Sequence, residues 1–156
     1  MSADPFQSVT PEARAQALGL LRDATFAALA VTQDGAPSVT RIGMATTAEG
    51  APLSLISKLS PHTAALEADP RCALLVGEPG PKGDPLTHPR LTLHCTARLV
   101  ERDAPDHAPL RARYLDLRSK AGLYADFGDF RFVLFDVHSA LLNGGFGKAF
   151  KFDAAP

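Results

Sequence analysis

Ser57-Lys58-Leu59-Ser60-Pro61-His62-Thr63-Ala64-Ala65-Leu66-Glu67-Ala68-Asp69-Pro70-Arg71 joins the apolar run Pro52 to Ile56 to a second one, Arg71 to Gly77. Ser60-Pro61 is a helix start, with serine as N-cap and proline at the first helical position, and Asp69-Pro70 is its stop. The helix between them is about two turns long. Its free N–H groups fall at His62 and Thr63, with the hydroxyls of Ser57, Ser60 and Thr63 close by. Unpaired donors at the positive end of a helix are a place for a phosphate. Lys58 adds charge, and Arg41 on an earlier strand offers a bidentate fork. The same residues also read as an ordinarily capped surface helix. Spacing alone favours that second reading, because no glycine-rich loop stands here.

The strand carrying Arg41, Pro37 to Thr46, alternates Ser38, Thr40, Ile42 and Met44 with Val39, Arg41, Gly43 and Ala45. A guanidinium beside two very small residues leaves room for a flat group on the strand, gripped at its charged end. The equal alternative is that Gly43 marks a bulge or bend and Arg41 pairs with an acid.

Before this strand, Thr10-Pro11-Glu12 opens a helix whose Ala17, Leu20, Leu21 and Ala24 share one face. Thr25 to Thr32 reads as a strand turned back at Gln33-Asp34-Gly35. Beyond the quoted stretch, Arg71 to Gly77 is a central strand buried on both faces. Glu78 to Pro89 is a long irregular segment, either disordered or functional. Arg90 to Asp103 is a strand with Leu91, Leu93, Cys95, Ala97 and Leu99 inward and Thr92, His94, Thr96 and Arg98 outward. Pro105 to Leu117 reads as an amphipathic helix, Ala121 to Phe127 as a short aromatic helix, and Arg131 to Ser139 as a strand. Asn143-Gly144-Gly145-Phe146-Gly147-Lys148-Ala149 fails the P-loop pattern at Leu142 and Ala149 and the dinucleotide pattern at Phe150. It is a glycine-rich turn.

A chain of 156 residues with 46% hydrophobic and 21% charged content is read as one globular domain, 1–156. Sixteen basic residues against seventeen acidic ones give no field for nucleic acid or an anionic membrane. Cys72 and Cys95 lie in apolar runs and are not spaced as a metal pair, so both read as free buried thiols and no metal is expected. Met1-Ser2-Ala3-Asp4-Pro5 lacks the pattern of a signal peptide and no run is long enough to span a membrane. The expected address is cytoplasmic. Six or so strands joined by tight turns favour an antiparallel sheet, with closure into a barrel removing its edges.

Ser38-Val39-Thr40-Arg41-Ile42, the segment Ser57 to Thr63 with Leu66 and Asp69-Pro70-Arg71, Gly83-Asp84-Pro85-Leu86, Pro89-Arg90-Leu91-Thr92-Leu93, Arg113-Tyr114-Leu115, Asp129-Phe130 and Gly144-Gly145-Phe146-Gly147 with Ala149 run in one order from about residue 20 to 150. Together they resemble the FMN-binding split barrels, the pyridoxamine 5'-phosphate oxidase-like proteins, and among these the branch of the haem-utilisation proteins. The resemblance implies a mainly β (α+β) fold: an antiparallel six-stranded split β-barrel with a leading N-terminal helix and short peripheral helices. It implies a homodimer with FMN in the groove between subunits. Arg41, Ser57, Lys58, Ser60, His62 and Thr63 would hold the FMN phosphate, and the backbone near Ile42 and Gly43 would face the isoalloxazine ring.

The chain departs from that pattern. Ser60-Pro61-His62 stands where the oxidases carry Ser-Arg-Lys, so part of the phosphate charge rests on a titratable histidine. Ala64-Ala65 and Arg118-Ser119 replace residues common in the haem branch. The C-terminal domain of many relatives and the arginine-rich segment that holds pyridoxamine phosphate are absent from the sequence. The expected function is that of an FMN-dependent oxidoreductase on a small or planar substrate, with the cofactor carrying the electron chemistry. No residue reads as an acid, base or nucleophile. The alternatives are a haem-binding or haem-degrading protein, with His88, His94, His107 and His138 as candidate ligands, and a flavin carrier without turnover.

Overall fold

The computed structural model describes residues 3–156. The first helix, α1 (Pro11–Asp23), starts where Thr10 Oγ1 accepts the Ala13 N–H at 3.0 Å, and it buries Ala13, Ala17 and Leu21. The strands β1 (Phe26–Gln33) and β2 (Ala36–Gly43) form a hairpin. Asp34 and Gly35 at its tip have φ of 51° and 78°, the left-handed pair that a two-residue hairpin turn requires. Met44 alone separates β2 from β3 (Ala45–Thr46); β4 (Pro52–Ser57), α2 (Pro61–Ala68) and β5 (Arg71–Val76) follow. Then come β6 (Arg90–Val100), α3 (His107–Leu117), β7 (Phe130–Asn143) and β8 (Ala149–Phe152).

Every pairing between these strands is antiparallel, in the order β2-β1-β5-β6-β7-β4-β3, with β8 beside β7. β2 and β3 are neighbours in the chain and opposite ends of that order, so the sheet curls until its two ends meet at Met44. The main core fills the curl with Leu29, Ile42, Met44, Leu74, Leu93, Phe135 and Leu142, and α1 and α2 add Ala17, Leu21 and Leu66. A second cluster, Leu53, Leu110, Tyr114, Ala121 and Phe132, seats α3 against the β4 end.

The antiparallel split barrel is as expected, with corrections. Among the described residues the sheet has eight strands rather than six: the run Pro37 to Thr46 breaks at Met44, and the residues after the glycine-rich turn add β8. The aromatic helix expected at Ala121 to Phe127 is a 3-10 turn, Ser119–Leu123. The glycine-rich segment is the turn of the β7–β8 hairpin, closed by Gly144 N–H to Lys148 O at 2.8 Å. The segment 78–89 is held by internal hydrogen bonds, with Gly80 N–H to His88 Nδ1 at 3.2 Å and His88 Nε2 against Lys82 O at 2.7 Å. Among the described residues no helix is long and apolar enough to cross a membrane, and no three His, Cys, Asp or Glu side chains gather as a metal site. Cys72 and Cys95 are unbridged, as expected, but only Cys95 is buried and Cys72 is half-buried.

The hairpin strand β8 belongs to the core, since Phe150 and Phe152 are both buried there. Truncating a buried phenylalanine removes its transfer energy and leaves a cavity, so Phe152→Ala is expected to cost about 3 to 5 kcal/mol. Urea unfolding should show a lower midpoint at unchanged slope.

Candidate functional site

The segment between β4 and α2 folds as a tight corner. Lys58 N–H donates to Asp129 O at 2.7 Å and Ser60 N–H to Ser57 O at 3.1 Å. Its hydroxyls are largely spent within the chain. Ser57 Oγ donates to Asp129 Oδ2 at 2.5 Å and accepts from Leu59 N–H at 3.1 Å, and Thr63 Oγ1 donates to Ser57 O at 2.6 Å. Ser60 occupies the N-cap position without a side-chain cap bond. His62 is buried, its Nδ1 3.1 Å from Thr40 Oγ1, and its Nε2 has no partner. Burial lowers its pKa below the ordinary histidine value, so at neutral pH this ring carries no charge.

Arg41 stands apart from this group. Thr40 reaches inward to His62, and successive residues of a strand point to opposite faces. Arg41 accordingly lies exposed on the outer face, its guanidinium 5.0 Å from the centroid of the Phe26 ring. No carboxylate pairs with it among the described residues. The space beside Gly43 is also taken. A Cβ on Gly43 would sit 2.6 Å from the Tyr114 hydroxyl. Tyr114 is buried, lies edge-on to Phe132, and has its pKa pushed up to about 12 by that burial. The small residue at 43 therefore admits a tyrosine of α3, and Ile42 is a core side chain.

The structure brings Ser57, Ser60, His62 and Thr63 together and leaves Arg41 on the other face of β2. A phosphate at the α2 start would meet a neutral histidine, committed hydroxyls and the Asp129 carboxylate at Ser57, with Lys58 and Ser60 Oγ as the uncommitted side-chain donors. That donor set fits a phosphate dianion poorly. Asp129 and Tyr114, which decide this outcome, act through tertiary contacts and carry no sequence signal of the kind used for the helix start.

A different cluster appears on the outer face. The registers align Val39, Ala30, Ala73, His94 and Ser139 in one row across β2, β1, β5, β6 and β7. A bulge in β7 places His138 as an extra residue beside Ser139. His94 Nδ1 is 3.1 Å from Ser139 Oγ, and His138 Nε2 is 2.6 Å from Thr96 Oγ1. The other nitrogen of each exposed ring takes no hydrogen bond among the described residues. His88 has both nitrogens engaged, and His107 packs edge-on to Phe132 at 5.4 Å.

The model of the family described as pyridoxamine 5'-phosphate oxidase matches residues 13–142. Over 119 residues the chain is 36% identical to the non-canonical heme oxygenase HOZ, chloroplastic, of Arabidopsis thaliana, covering 75% of this chain and 35% of that one. A solved heme binding protein from Mycobacterium smegmatis is 29% identical with a TM-score of 0.82, covering 93% of this chain and 59% of that one. HutZ, a heme storage protein from Vibrio cholerae, is 22% identical with a TM-score of 0.67, covering 83% and 89%, a likeness of fold. The chain thus spans little more than a third of the plant relative and under two thirds of the mycobacterial one.

The contact between Gly43 and Tyr114 has a measurable signature. Gly43→Ala should cost about 1 to 3 kcal/mol by overpacking. Tyr114→Phe in that background should recover most of the loss, because the next tyrosine atom lies 4.0 Å away. A double-mutant cycle by urea unfolding measures this coupling; additive losses would contradict the contact.

Proposed function

The chain belongs to the pyridoxamine 5'-phosphate oxidase family, and from that membership we propose that it is a haem-binding member of the fold. The observation that carries the reading is the pair of exposed histidines, His94 and His138, each with one ring nitrogen tied and the other uncommitted. A hydrogen bond on one nitrogen orients the ring and sets the tautomer for ligation through the other. Ala30 and Ala73 beside His94 keep the sheet low there, so a planar ring meets no tall side chain along that row. The names of the plant and mycobacterial relatives support the same ligand. Bound haem would supply a redox-active iron and a conjugated ring. The protein's share would be to ligate and orient it; His94 and His138 are the residues that would hold it, with Ser139 and Thr96 orienting their rings.

An FMN reading, with the oxidoreductase activity it would bring, comes second. It is favoured by the orphaned Nε2 of His62 beneath the uncapped start of α2, a place that an incoming acceptor would satisfy. Its phosphate would rest on Lys58, Ser60 and the His62 N–H, since the Thr63 N–H donates to Ser60 O at 3.0 Å, with Arg41 leaving Phe26 and swinging round the exposed edge of β2. The poor donor set ranks it below haem.

We also propose a homodimer. Leu59 is 83% exposed, Leu123 81% and Phe127 56%, and the Lys58–Asp129 backbone bond brings their loops together. Single exposed apolar residues are ordinary, whereas several on adjoining loops support a contact surface.

Titration with hemin should produce a shifted Soret band, and His94→Ala or His138→Ala should weaken binding by about tenfold or more. Haem spectra unchanged in both variants would sink the assignment, and FMN retained through desalting would move the weight to the second reading. Light scattering should report two copies for the parent chain and one for a Leu59→Glu, Phe127→Glu double variant; a monomeric parent would overturn the dimer.

A further inference from the structure

A groove of about 590 Å³ runs where the C-terminal half of α1 approaches the outer face of β1 and β5. That volume lies within the range of small-molecule pockets. Leu20, Phe26, Ala28 and Leu75 give it an apolar lining, and Gly19 leaves its helix side open. Glycine inside a helix costs about 1 kcal/mol against alanine, and no packing explains it here: a Cβ at position 19 would meet only the Arg22 Nη2, at 3.7 Å.

The charges at the two lips differ. Asp23 lines the groove, but its carboxylate is held by Arg22 at 3.0 Å. Arg41 lies over Phe26 at the β2 side and pairs with no carboxylate among the described residues. Glu78 stands on the opposite side, beyond the end of β5. The register runs Arg41, Ala28, Leu75 across three strands, so the backbones of Arg41 and Leu75 are about 10 Å apart, two strand spacings, and Glu78 follows three residues beyond Leu75.

We propose that this groove is a binding site for a planar aromatic carboxylate of about two fused rings, with a hydrogen-bond donor at its far end. The rings lie on Phe26, Ala28 and Leu75, the Arg41 guanidinium turns from Phe26 to fork the carboxylate, and Glu78 accepts from the donor. This assigns Arg41 to a ligand on the outer face instead of to the α2 start, and it does not depend on haem.

The probe is 6-hydroxy-2-naphthoate, followed by its own fluorescence, with the methyl ester as the uncharged control. Saturable one-to-one binding is expected. Gly19→Leu fills the groove and should weaken the acid by about tenfold or more, while its melting temperature holds or rises because leucine is the better helix former. Arg41→Gln should weaken the acid by about ten- to a hundredfold, the range for a charged hydrogen-bonding partner, and leave the ester within about twofold. His94→Ala should leave probe binding unchanged, which separates this site from the haem reading. Absence of saturation at millimolar probe, binding indifferent to Gly19→Leu, or equal losses of acid and ester in Arg41→Gln would each overturn the proposal.

Discussion

The closure at Met44 governs the rest of this structure. A curled sheet normally joins its edges by hydrogen bonds or leaves them open. Here one residue does the joining, because β2 pairs with β1 at one end of the strand order and β3 pairs with β4 at the other. Met44 is fully buried, its N–H donates to Thr25 O at 2.9 Å, and its carbonyl accepts from Arg118 Nε at 2.7 Å. Ser54 Oγ of β4 donates to Gly43 O at 2.5 Å, and a second Arg118 nitrogen holds Ala24 O at 2.7 Å. The corner is thus satisfied from three directions, which a buried break in a ladder requires.

That corner separates what the sequence made legible from what it hid. The caps at Thr10 and Ser60-Pro61, the Asp34-Gly35 turn and the alternation of β6 are local signals, and each element stands where those signals put it. The break at Met44 is invisible to alternation, because Ile42 and Met44 both remain inward. β8 was concealed by its shortness and by the glycines before it. The site suffered more. Placing Arg41 beside Gly43 on one face was sound strand geometry, but the occupant of that space is Tyr114, about seventy residues later. The hydroxyls at Ser57 and Thr63 are present as read, but a carboxylate from residue 129 engages the first of them.

The two faces of β2 explain why one strand suggests two chemistries. Its inner face feeds Thr40 to a buried, neutral His62; its outer face holds a solvated cation on an aromatic ring. Charge lies outside and desolvated polarity within, the distribution that burial costs dictate. The outer face is where this chain keeps its uncommitted ionisable groups, Arg41, His94 and His138 among them.

The bulge in β7 bears on how such a face is acquired. Slipping a strand by one residue ordinarily exchanges its two faces and ruins the core. At His138 the ladder absorbs the extra residue, and Val137 opposite Cys95 and Ser139 opposite His94 keep their sides. A single codon gained or lost there leaves hydrophobic patterning intact on both flanks. Lineages carrying this barrel therefore have a route to a new outward side chain by insertion, a kind of change that evolution seldom tolerates in the middle of a central strand.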